Sequence, residues 1–115
     1  MKFITDGMLG KLTRWLRMLG HDVEYSKFLD DKELIKKVKT ENRILLTRDL
    51  GLYQRAITQG ANAFLVEGDT ESKKLANLSK RFDFKLEIDV AVSRCPKCNN
   101  PIKLVSKEEV IDRIP

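Results

Sequence analysis

The sequence predicts an α/β fold with a mainly parallel sheet, on two observations. Strand-like and helix-like segments alternate four times before residue 82, which is typical of parallel strands joined by right-handed helical crossovers. In addition, residues 43–47 read RILLT and contain a continuous apolar run, Ile44 to Leu46, rather than an alternating pattern. Such a run is typical of a strand that is buried on both faces, as in a parallel sheet.

Periodicity and capping signals define the individual elements. Apolar residues at helical spacing within residues 8–19 predict the first helix, which ends at Gly20. The second helix opens with a capping signal, because Asp30 or Asp31 can cap it and Glu33 stands three residues after Asp30. The other predicted elements are strands at 2–5, 22–25, 43–47, 62–68 and 84–92, and helices at 50–58 and 70–82.

Length and composition are those of one basic globular domain with a small appendage. The chain has 115 residues, a net charge of +5 and a pI of about 9.3. A basic balance favours polyanionic partners such as RNA. Because there is no long apolar run and no basic-then-apolar leader, we expect a cytoplasmic protein without a membrane partner.

Acidic side chains stand at three successive strand-to-helix junctions. Asp6 follows the first strand, Asp30 and Asp31 open the helix after the second, and Asp49 follows the third. In a parallel sheet these junctions share one edge, so the carboxylates can converge. Mg²⁺ or Mn²⁺ relieves the repulsion between them, and such an ion activates water and stabilises the leaving oxygen in phosphodiester hydrolysis. Helix capping alone explains any single one of these acids.

Basic side chains near these junctions are candidates for contacts with RNA phosphates. Three lie on the predicted wet face of the first helix and one lies beside Asp49, although a solvated helix face is the commoner explanation for such residues. Trp15 falls on the apolar stripe and is expected in the core, and His21 is expected to be a loop residue without a ligand or base role. The nucleic-acid-binding candidates are Lys11, Arg14, Arg17 and Arg48.

The character of the chain changes near Ser93, where a segment rich in Pro and Asn begins. It contains Cys95 and Cys98 in a C-x-x-C spacing, which in a cytosolic chain indicates metal or redox chemistry. A thioredoxin-like thiol pair would stand at the start of the helix after the first strand. The position of this pair, after the α/β body, therefore argues against a thiol redox protein.

Four stretches of the sequence together resemble one known family. FITDGMLGKLTRWLRMLGHDV, DDKELI, RILLTRD and SRCPKCNNPI occur in this order, and the combination is similar to the Mut7-C family of the PIN-like ribonuclease fold. The resemblance implies a three-layer α/β/α nuclease domain over residues 1–92. It also implies metal-dependent RNA cleavage by Asp6, Asp31 and Asp49, with Asp30 as a rival to Asp31.

The C-terminal segment departs from the family pattern. Members of the family carry a zinc ribbon with two C-x-x-C pairs, whereas this chain has one pair, so residues 93–115 resemble a truncated or degenerate ribbon. Two thiolates cannot complete a structural zinc site, which is nearly always four-coordinate. A decayed ribbon, a shortened chain, a metal shared within a homo-oligomer and a disulfide remain open. A tight turn with two free thiols is the preferred interpretation.

The leading functional hypothesis is an endoribonuclease that depends on Mg²⁺ or Mn²⁺. The alternative is a non-catalytic RNA- or ribosome-binding module that retains the PIN-like fold. Binding of the cation at the acid cluster separates the two, because a binding module does not need it.

Overall fold

The computed structural model describes residues 1–86 and 93–100, in which four strands alternate with four helices. All strands run parallel in one sheet with the order β2-β1-β3-β4. This confirms the predicted α/β class with its parallel sheet. In chain order the elements are β1 Lys2–Asp6, α1 Gly10–Met18, β2 Asp22–Ser26, α2 Asp31–Glu41, β3 Ile44–Thr47, α3 Leu50–Thr58, β4 Ala63–Leu65 and α4 Glu71–Phe82.

Helices cover both faces of the sheet and produce three layers. Leu46 of β3 packs with residues of α1 and α4 on one face. Leu45, the preceding residue, packs with residues of α2 and α3 on the other. Because successive strand residues point to opposite faces, both sides of β3 are buried. This is the physical origin of the continuous apolar run within residues 43–47.

The strand order creates a switch point between the two central strands. From β1 the chain crosses to β2 on one side, whereas β3 lies on the other side of β1 and leads on to β4. The helices that follow β1 and β3, namely α1 and α3, therefore lie on opposite faces of the sheet. A crevice opens outside the carboxyl ends of two such strands, and ligands of open α/β sheets bind there.

Side-chain caps start three of the four helices. Asp30 accepts a hydrogen bond from the Glu33 N–H at 2.8 Å, as the capping signal predicts. Asp49 caps α3 and Thr70 caps α4 in the same way. Helix α1 has no side-chain cap and begins at Gly10, so it is shorter than the predicted span of residues 8–19. Asp6 is thus the one acid of the predicted set that precedes a helix without capping it.

The outer surface of α1 differs from its prediction at two positions. Trp15 was expected in the core, but 44% of its surface is exposed. Arg17 was expected on the wet face, but only 7% of it is exposed. Its guanidinium donates hydrogen bonds to the carbonyl oxygens of Val23 and Pro96, both at 2.9 Å. For Arg17 the physical reason is that residues 93–100 pack over the C-terminal part of α1, which the local periodicity does not encode.

Two predicted features fall outside the described residues. The strand expected at 84–92 lies largely within residues 87–92, and the short elements expected after the C-x-x-C turn lie within residues 101–115. Within the described part of the chain, no helix is long and apolar enough to cross a membrane.

Candidate active site at the carboxyl edge of the sheet

Asp6 and Asp49 both lie at the switch point, where the hydroxyl of Thr47 bonds to the side chain of Asp6 and to the backbone of Asp49. Asp6 ends β1 and Thr47 ends β3, and the register pairs Thr5 with Leu46 just before them. The Thr47 hydroxyl donates a hydrogen bond to Asp6 Oδ2 at 2.5 Å and accepts one from the Asp49 N–H at 3.0 Å. The two acids therefore share one rim of the molecule, as the parallel topology predicts.

Each acid of this pair also has a local structural role. Asp6 Oδ1 accepts a hydrogen bond from the Met8 N–H at 3.0 Å, which closes the turn after β1. Asp49 Oδ1 accepts one from the Leu52 N–H at 3.2 Å, which caps α3. Within the described residues no hydrogen bond to Asp49 Oδ2 is present. The cap of α3 occupies Oδ1 of Asp49 and leaves Oδ2 available for a ligand. A capping role and a ligand-binding role are therefore compatible at Asp49.

The junction between β2 and α2 does not supply a third free carboxylate beside Asp6 and Asp49. Asp30 is engaged in capping α2, and Asp31 forms an ion pair with Arg55 of α3. Residues 1–86 and 93–100 contain no group of three or more His, Cys, Asp or Glu side chains arranged to hold a metal ion. Of the acids at the three junctions, only Asp6 and Asp49 are linked by the Thr47 hydroxyl, Asp6 through its side chain and Asp49 through its backbone N–H.

Arg55 lies between the second junction and the acid pair. Its Nη1 is 3.8 Å from the point where a side chain on Gly51 would begin, and Asp49 Oδ1 is 3.3 Å from that same point. The ion pair between Arg55 and Asp31 is about half exposed on both sides. Exposed ion pairs contribute at most about 1 kcal/mol, so a divalent cation can compete with Arg55 for the Asp31 carboxylate.

The donor chemistry of the pair fits a hard divalent cation. Mg²⁺ is bound in proteins by one or two carboxylates, with water and substrate phosphates completing its coordination. Asp6 and Asp49 supply oxygen atoms only, and a carboxylate that accepts two hydrogen bonds retains further lone pairs.

Three of the four side chains that are predicted to contact RNA phosphates are exposed, and Arg17 is buried. Lys11, Arg14 and Arg48 are exposed, and Arg48 also donates a hydrogen bond to the Gly68 carbonyl oxygen. The prediction that Arg17 lies on the exposed face was wrong, because its guanidinium is bound to backbone carbonyl oxygens inside the protein. Burial also lowers the pKa of Arg17 from its usual value.

Cys95 and Cys98 lie in a tight turn and form no disulfide with each other. The Asn99 N–H donates to the Cys95 carbonyl oxygen at 2.8 Å. The backbone N–H of Cys98, followed by the Cys98 thiol and the Lys97 N–H, lowers the pKa of Cys95. Donors aimed at a sulfur stabilise its thiolate form.

This turn is attached to the edge of the sheet by a residue that the sequence did not single out. Asn99 accepts a hydrogen bond from the Val23 N–H at 3.0 Å and donates one to Asp22 Oδ1 at 2.7 Å. Because β2 is an edge strand, Asn99 satisfies a backbone donor that would otherwise face water. Although burial opposes the shift, hydrogen bonds from Arg43 and Asn99 lower the pKa of Asp22.

Sequence reasoning also missed Thr47 and Arg55. Thr47 is fully buried and is the only polar side chain of β3. A polar residue that ends an apolar strand just before an acid was the available signal. Arg55 carried no such signal, because its pairing with Asp31 depends on how α2 and α3 pack.

The fold and the site together define a doubly wound α/β protein with an acid pair at its switch point. In comparisons with known proteins, the family model of the Mut7-C RNAse domain matches residues 1–115. The chain therefore belongs to the Mut7-C RNAse domain family, and this membership indicates a ribonuclease-type function. No curated protein and no solved structure matches the chain.

Proposed function

We propose that the chain is an endoribonuclease that depends on Mg²⁺ or Mn²⁺ and hydrolyses RNA at the switch point. The observation that carries the proposal is the pairing of Asp6 with Asp49 through Thr47 at the carboxyl ends of β1 and β3. Membership of an RNAse domain family and a net charge of +5 support RNA as the substrate.

Each residue of the site has a role that follows from its contacts. Asp6 and Asp49 would hold the cation. When bound, the cation would activate an attacking water and stabilise the negative charge that develops on the leaving oxygen. The Thr47 hydroxyl orients Asp6 through its short hydrogen bond and fixes the backbone of Asp49. Exposed Lys11, Arg14 and Arg48 would contact the phosphates on either side of the scissile bond.

The test is RNA cleavage in Mn²⁺ by the wild type and by Asp49→Asn. Asn is as good a helix N-cap as Asp, so this change removes the charge at Asp49 and keeps the start of α3. We expect the cleavage rate to fall about 100-fold or more. The matched control is Asp30→Asn, which alters the cap of α2 in the same way and should retain activity. Equal rates in Asp49→Asn and the wild type would contradict the proposal.

The second candidate function is a non-catalytic RNA-binding module with the same fold. It is favoured by the ion pair between Asp31 and Arg55, which leaves two rather than three acids at the switch point. Calorimetric titration with Mn²⁺ separates the candidates. A nuclease should bind the ion, lose affinity in Asp49→Asn and gain affinity in Arg55→Gln, which frees Asp31. Salt-sensitive RNA binding without Mn²⁺ binding would establish the module instead.

A further inference from the structure

Large apolar side chains stand exposed around the acid pair. Phe28 is 92% exposed and Met8 is 80% exposed, and about half of Leu50 faces the solvent. These residues, with the less exposed Leu29, belong to the segments after β1, β2 and β3. All of these segments lie at the carboxyl edge of the sheet. We call Met8, Phe28, Leu29 and Leu50 the apolar rim.

The first two segments of the rim contact each other. The Tyr25 hydroxyl at the end of β2 donates a hydrogen bond to the Gly7 carbonyl oxygen at 2.7 Å. A side chain on Gly7 would begin 3.4 Å from the Lys27 Cα. Met8 and Phe28 therefore stand on touching loops, and Leu50 directly follows Asp49 of the acid pair. The rim residues therefore lie on neighbouring segments of the edge that carries Asp6 and Asp49.

The rim side chains do not contribute to the core. Leu9 and Leu52, which also belong to the segments after β1 and β3, are buried and carry the packing against the sheet. Met8, Phe28 and Leu50 are absent from both core clusters of the described residues. Exposed apolar side chains that are grouped on neighbouring segments often mark a binding site.

The charges beside the rim select the kind of ligand. Lys27 Nζ lies 6.0 Å from the centre of the Phe28 ring, and Lys11 and Arg48 are exposed in the neighbouring segments after β1 and β3. A ligand that matches both features has flat apolar faces connected by negative charges. Unpaired nucleotides have this chemistry, because their bases stack on aromatic side chains and their phosphates pair with Lys and Arg.

We propose that the apolar rim is a stacking platform for unpaired RNA bases, with Phe28 as its principal contact. This proposal deepens the proposed nuclease function and rests on it for the identity of the ligand. Bases in a duplex keep their faces stacked on one another, so the platform selects single-stranded RNA at the acid pair. Lys27 adds a phosphate contact next to the stacked base.

Binding of a fluorescent single-stranded RNA of about ten nucleotides tests the platform. The measurement uses the full chain with Asp49→Asn, so that the RNA is not cleaved, and it reads fluorescence anisotropy at low salt. Phe28→Ala should weaken binding about tenfold, in the range found for loss of one stacked base. Ile57→Ala is the matched control, because Ile57 is an exposed apolar residue near the opposite end of α3, and it should bind like its parent.

Two further variants separate stacking from general hydrophobic contact. Phe28→Trp keeps an aromatic face and should bind at least as tightly as the parent. Phe28→Leu keeps an apolar side chain without a flat π-face and should bind as weakly as Phe28→Ala. Because Phe28 is almost fully exposed, each variant should retain its fold, which circular dichroism checks.

Each outcome bears separately on the platform and on the nuclease function. Unchanged binding in Phe28→Ala, tight binding in Phe28→Leu, or an equal affinity of the parent for duplex RNA would overturn the platform and leave the nuclease function standing. Weakened binding in Phe28→Ala together with unchanged cleavage by Asp49→Asn would support the platform and overturn the catalytic assignment. No RNA binding by the parent would overturn the platform, and wild-type cleavage would then decide the function.

Discussion

At the scale of single residues, His21 shows how a polar side chain can become part of the core. His21 lies in the loop between α1 and β2, as its position after Gly20 predicts, but only 7% of it is exposed. Its ring packs edge-on against Phe3 and Phe84, with centroid distances of 5.5 and 4.4 Å. Burial, together with the positive charge of the N-terminal amine, lowers the pKa of His21 to about 4.

This lowered pKa predicts that the protein loses stability as the pH falls from about 6.5 to about 4. In that interval the unfolded chain binds a proton at His21 and the native protein does not, so the stabilisation is complete above pH 6.5. The expected loss is about 3 kcal/mol at pH 4. Urea unfolding at several pH values should show a flatter pH dependence in His21→Phe than in the wild type. Parallel pH dependences would contradict the assignment to His21.

At the scale of elements, the sequence predicted what local periodicity and capping determine. The strands and helices up to Phe82 were found in the right order, and the caps at Asp30 and Thr70 were confirmed. The faces of α1 were less predictable, because periodicity identifies the buried stripe of a helix but not the segments that later cover its other side. Residues 93–100 cover Arg17, and a contact between residues 79 positions apart leaves no local signal.

Arg17 should therefore hold the C-x-x-C turn against α1. Arg17→Met keeps the aliphatic stem and removes the bonds to the carbonyl oxygens of Val23 and Pro96. We expect a loss of about 2–3 kcal/mol in the free energy of unfolding and faster reaction of Cys95 with a thiol reagent. Arg14→Met is the matched control, since Arg14 is an exposed residue of the same helix and should change stability by less than about 0.5 kcal/mol. Equal thiol reactivity in the two variants would show that Arg17 does not hold the turn.

At the scale of the whole molecule, topology accounts for the part of the site that could be predicted. Asp6 and Asp49 are more than forty positions apart in the sequence, but parallel strands must end at one edge, and β1 and β3 are neighbours. The position of Asp31 was less predictable, because a side chain at a helix start can turn toward the site or toward a neighbouring helix. The packing of α2 against α3 gives it Arg55 as a partner, and no local pattern encodes that packing.

The three layers should also unfold as one unit, because β3 contributes to both cores. Leu45→Ala opens a cavity on the face of α2 and α3, and Leu46→Ala opens one on the face of α1 and α4. Each should lower the free energy of unfolding by about 2–5 kcal/mol. Trp15, the single tryptophan, lies on α1, so its fluorescence reports directly on one face only. If the sheet couples the layers, Leu45→Ala shifts the fluorescence transition in urea together with the circular dichroism transition. In Leu45→Ala, the fluorescence midpoint could instead stay at the wild-type value while the circular dichroism signal of the helices is lost at lower urea. That result would show that α2 and α3 unfold separately from the face that carries Trp15.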